Sequence, residues 1–131
     1  MKACDILMGA AVAALLLVPA TALAADAAGE IVTAQTHAEL AGTATDPAYT
    51  YMHLHHTLNC LVGPGGEGFD PKNLNPCANA GAGAIPDTTD PAKKKRLEDI
   101  AAQTRAAMAA TDPAVAKKDA AEVAAELKAM K

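Results

Sequence analysis

The chain has no tryptophan, one phenylalanine and two tyrosines, so aromatic residues make up only 2% of it. A core of this composition is assembled from small pieces, alanine above all, and offers no aromatic walls for a large planar ligand. A small domain with such thin packing gains from a staple, a metal or a partner.

Long apolar runs are scarce as well. The longest, Ile6 to Val18, covers 13 residues, short of the ~20 that a membrane-crossing helix needs. It follows Lys2, ends at Pro19 and precedes Ala22-Leu23-Ala24, which is the order of a secretory signal peptide with its small-residue cleavage site. Residues 1–24 are therefore expected to be a signal peptide and residues 25–131 one helical domain, periplasmic or secreted, with no membrane association after cleavage. Cys4 would leave with the leader.

Basic clusters larger than Lys93-Lys94-Lys95-Arg96 are missing, and the formal net charge is -4, which gives no electrostatic reason to expect nucleic acid. Catalytic motifs are missing too. There is no G-x-S-x-G, the acids Glu98, Asp99, Glu122 and Glu126 read as solvated helix faces, and no nucleophile stands beside a base at motif spacing. The expectation is a protein that is not an enzyme, with no catalytic residues. Covalent haem is excluded by the lack of C-x-x-C-H.

What the chain does have is concentrated between Tyr51 and Cys77. His53, His55 and His56 lie there, three of four histidines, with Cys60 and Cys77, the two cysteines that follow the leader. In an oxidising compartment these two are expected to pair, closing the Gly/Pro-rich stretch 63–88 as a staple. Glu67, Asp70, Asn73 and Asn75 put oxygen donors in that stretch, but Asp70-Pro71 and Asn75-Pro76 read more simply as turn starters than as calcium ligands.

Around this stretch the sequence is punctuated for helices. Thr-Asp-Pro-Ala occurs at 45–48, 89–92 and 111–114, each time before an alanine-rich run. Asp is a strong N-cap, and Pro at the first helical position gives up an N–H that would be unbonded anyway. Gly63-Pro64 ends the second run in the manner of a left-handed C-cap followed by a breaker. Helices are expected at about 30–44, 47–62, 91–110 and 113–130. The fold class is thus all-α, a small four-helix bundle of two antiparallel hairpins joined by a long disulfide-stapled crossover loop.

On the second helix, Tyr51, Leu54, Leu58, Leu61 and Val62 share one face at 100° per residue, the expected core face. Tyr49, His53, His56 and Cys60 share nearly the opposite one, with His55 at the margin of the core stripe. His53 and His56, at i and i+3, can reach one ion. If the first two helices are antiparallel about a turn at residues 44–47, His37 lies level with them. The metal-ligand set read from the sequence is His53 and His56, completed by His37 or His55.

Imidazole nitrogen suits copper or zinc better than calcium or magnesium, and the thioether of Met52 beside His53 favours copper. Cys60 cannot serve both as disulfide sulfur and as thiolate ligand. The expected function is metal handling by an exported protein. Two alternatives follow from the same residues. One is a non-catalytic module that docks a protein partner through Phe69 and Leu74 of loop 63–88, its histidines only tuning the helix end. The other is a b-type haem bundle, which the small-residue core disfavours.

Overall fold

A computed structural model describes residues 25–131, and among them every regular element is a helix. The expected signal peptide, residues 1–24 with Cys4, lies outside the described residues. In chain order the elements are α1 (Ala27–Thr43), α2 (Pro47–Val62), a single turn α3 (Ala84–Asp87), α4 (Pro91–Ala109) and α5 (Pro113–Lys128). The arrangement is compatible with a helical bundle. The helix α1 packs on α2 and α5, and α4 packs on α2 and α5. No described helix is long and apolar enough to cross a membrane.

All four long helices begin on an aspartate. Asp46, Asp90 and Asp112 accept hydrogen bonds from the amides of Ala48, Lys93 and Ala114 at 2.8, 2.8 and 2.9 Å, and each is followed by proline at the first position. The start of α1 departs from expectation. It lies at Ala27, because the Asp26 carboxylate accepts from the Gly29 amide at 2.9 Å and caps the helix before Glu30 is reached. At the other end of the chain, α5 stops at Lys128 and Met130 folds back onto the core.

Alanine sets how closely the helices approach. Ala34, Ala38 and Ala41 of α1 are completely buried, as are Ala116 and Ala120 of α5. A methyl group at these positions lets two helix backbones come nearer than leucine would allow. Larger side chains, Ile31, Leu54, Leu58, Leu61, Leu97, Ile100 and Leu127, fill the space between. The Tyr51 hydroxyl donates to the Ala110 carbonyl at 2.7 Å, which fixes the start of α2 against the end of α4 and makes these two helices antiparallel.

Residues 63–88 follow a defined path. Cys60 and Cys77 are disulfide-bonded with their Cα atoms 5.1 Å apart, so the chain returns to the end of α2. There Asn59, fully buried in the last turns of the helix, acts as a hub. Its amide nitrogen is 3.0 to 3.3 Å from the carbonyls of Asp70, Asn73 and Leu74, and its oxygen accepts from the Asp70 amide at 2.9 Å. Successive turns carry the intervening backbone. At the base of the excursion Gly63 (φ 66°) passes directly against the backbone of Ala82, where a Cβ would collide with the carbonyl.

Two expectations about this stretch need correction. It is not devoid of helix, since α3 turns within it. One turn is too short to produce a period in the sequence, and it is held by Ile85 against the core and by Ala84, which is completely buried. Phe69 is also not fully exposed, because its ring is partly buried against the same core. Leu74 alone of the pair is exposed, at 64%.

Candidate metal centre

The histidine-bearing face of α2 is the face that meets α1. A turn centred near residue 45 makes the two helices antiparallel, and residue 37 then falls opposite residue 53. Buried Thr57 marks the same seam, donating to the His53 carbonyl at 2.9 Å with the Ala34 carbonyl of α1 at 3.4 Å. Because α1 presents alanines above and below His37, the helices are close enough for imidazoles from both to meet.

Three do meet. One nitrogen each from His37, His53 and His56 lies within 4.8 Å of the other two. The His37 and His53 rings approach through their Nδ1 atoms at 3.1 Å, and the His56 ring stands nearly perpendicular to both, at 88° and 84°. Ring centroids are 5.0 to 5.5 Å apart. His56 is buried at 7% exposure, while His37 and His53 are half-buried, so the cluster has a closed inner side and an open outer one.

Burial has an electrostatic consequence. It holds the His37 imidazole down at about pH 4, helped by the neighbouring His56 and His53. His53 is pushed below its ordinary value by burial, and His56 by burial and then by His53 and His55. All three rings are therefore neutral at pH 7, the form that binds metal. The cost of this arrangement is visible at His56, whose Nδ1 is buried without a hydrogen-bond partner. An unmet buried polar atom is destabilising unless something satisfies it, and a cation among the three rings is the kind of group that this donor set fits.

His55 lies elsewhere. It turns from the triad towards the loop, with Nδ1 3.7 Å from Asp70 Oδ2. That carboxylate is held below the usual range, first by the Lys72 amide and then by the Asn73 side chain. Met52 is half-buried beside His53, one turn before His56.

Two residues that organise this end of the molecule were not singled out by sequence reasoning. Asn59 had a signal, since a poor helix former sits inside the run Leu58-Asn59-Cys60-Leu61-Val62, where only a buried partner explains it. Glu30 had none. It looks like an ordinary acid in a first helical turn, yet it is completely buried, accepts from the Gly83 amide at 2.9 Å and leaves Oε2 without a partner. Burial raises its pKa to about 7.

Fold and site together define an all-helical, disulfide-linked protein with a three-imidazole cluster between two helices. Comparison with protein-family models, with curated proteins and with solved structures finds no match.

Proposed function

We propose that this is an exported protein that binds copper or zinc between α1 and α2 through His37, His53 and His56, and that its task is buffering or delivery of the metal. The convergence of three imidazole nitrogens within 4.8 Å carries the reading. For a tetrahedral ion with metal–nitrogen bonds of about 2.0–2.1 Å, neighbouring nitrogens stand about 3.3–3.4 Å apart. The 3.1 Å between His37 and His53 is already close to that edge, and small ring movements suffice for His56.

Three protein ligands leave a coordination position for an outside group, unlike a structural site closed by four. That open position, on the exposed side of the cluster, suits exchange of the ion with another carrier. The apolar segment at the start of the chain and the Cys60–Cys77 disulfide favour a periplasmic or secreted setting.

The test is metal analysis of protein purified without an affinity tag, compared with the His53→Ala/His56→Ala double variant. One copper or zinc per chain in the parent, lost in a variant whose helical content is unchanged, is the expected result. A parent that takes up neither added copper nor added zinc would rule the reading out.

A further inference from the structure

The triad has a property that separates the two metals. Its donors are all neutral: among the described residues no carboxylate and no thiolate joins the group. Among the described residues, the charged neighbours that shift the three rings are other histidines. Cys60, a turn beyond His56 on the same face, is engaged with Cys77 and has no thiolate to offer. The nearby acids have their own partners. Glu39 is exposed and accepts from the Gln35 amide at 2.6 Å, and Asp70 is bound within its loop and beside His55.

A divalent ion placed here would carry two uncompensated charges into a half-buried site. Burying charge without a counter-charge is costly, and the cost rises steeply with the size of the charge. Zn(II) also favours four ligands, so it would have to fill the open position with water, which leaves both charges uncompensated, or with an anion, which offsets one of them. Cuprous copper needs neither. It carries one charge, and its closed d¹⁰ shell accepts three ligands in a trigonal array, so three imidazoles complete its coordination.

The geometry points to Cu(I) as the ion this site is built to hold, three-coordinate among His37, His53 and His56. This inference rests on the metal-binding reading above and narrows it to one ion in one oxidation state. The open outer side then serves as the route by which a fourth donor from another carrier attacks the bound copper.

The experiment compares two affinities on the intact disulfide-bonded protein. Cu(I) is supplied anaerobically with ascorbate, a reductant free of thiols, and measured by competition with bicinchoninate. Zn(II) is measured by competition with a chromophoric chelator in a sulfate buffer free of halide, and again after addition of azide. The expected result is one Cu(I) per chain, bound more tightly than Zn(II) by more than about tenfold, with zinc binding strengthened by azide. Zinc bound as tightly as Cu(I) or more so in the halide-free buffer would overturn the cuprous assignment and leave the metal site standing. Failure to bind either ion would overturn both.

Discussion

His37 Nδ1 and His53 Nδ1 stand 3.1 Å apart across the seam between α1 and α2. In the metal-free protein one of these nitrogens must carry a proton and the other a lone pair, so with both rings neutral the two take opposite tautomers. A metal ion would replace the shared proton and draw in His56. Substituting His37 or His53 by alanine is therefore expected to weaken copper or zinc binding by more than about 100-fold, beyond what loss of an outer-shell partner costs. His55→Ala, which removes a ring facing Asp70, should leave affinity within about threefold. Competition titration against a colorimetric chelator measures both.

The depressed pKa values set the pH range of binding. Protons displace metal only where they can hold the rings, and burial moves that point from an ordinary 6.5 down to about 4 for His37, with His53 and His56 shifted in the same direction. Affinity should begin to fall at a lower pH than it would for three solvent-exposed imidazoles, whose protons compete from about 6.5. A titration in which affinity already drops between pH 7.5 and 6.5 would mean that the rings are not shielded as described.

The helix starts were legible in the sequence because Thr-Asp-Pro-Ala is local chemistry: cap and first residue are read without knowing the fold. The level of His37 relative to His53 was legible too, since a short turn between antiparallel helices fixes it. The rotation of α1 was not, because its faces are nearly equal in alanine and no apolar stripe dominates. Which face of α2 is buried was likewise only half readable. The leucine face meets α4, but the polar face of Thr57, His53 and His56 is covered by α1, and the loop then encloses Asn59 and Cys60. Glu30 lay beyond reach because its burial depends on backbone from 81–83, more than fifty residues away.

That burial makes Glu30 a source of pH-dependent stability. Its carboxyl has a pKa of about 7 in the folded protein against an ordinary 4.5, with Asp87 and Asp26 adding repulsion to the effect of burial. An acid with a raised folded value contributes its stability below 4.5 and loses it as pH rises through 7, because the unfolded chain releases the proton first. The loss amounts to about 3 kcal/mol at most. Glu30→Gln keeps an acceptor for the Gly83 amide and removes the charge. The depressed histidines act in the opposite sense, adding stability as pH rises towards 6.5, but they do so in parent and variant alike. Thermal melts should therefore show the difference between variant and parent shifting in the variant's favour from pH 4.5 to 8, with the variant the more stable at pH 8; a difference that stays constant with pH would mean that Glu30 does not titrate as described.

Asn59 should prove more costly to remove than its single side chain suggests. Alanine there would strip the Asp70 amide and three carbonyls of their shared partner in a buried setting. A destabilisation of about 3 kcal/mol is expected. The Asp70 amide should lose protection in hydrogen exchange before the amides in the middle of α4 do. Equal loss at both places would mean that the loop and the bundle unfold as one unit and that Asn59 has no separate role in fixing residues 70–74.

The disulfide and Asn59 hold the same segment from neighbouring positions on α2, so their effects should overlap. Cys60 and Cys77 are 17 residues apart, and closing a loop of that length is worth about 3 kcal/mol in the chain-entropy model. Cys60→Ala/Cys77→Ala should lower the midpoint of denaturant unfolding accordingly. Because Asn59 still ties the loop to the helix end in that variant, the triad should survive, and copper or zinc affinity measured at a temperature where the variant is folded should change by less than about tenfold. Adding Asn59→Ala to the cysteine double variant should cost more than it does in the parent, since the disulfide no longer holds the segment in place when the Asn59 bonds are lost. A fully additive loss would show that the two anchors act on independent parts of the loop.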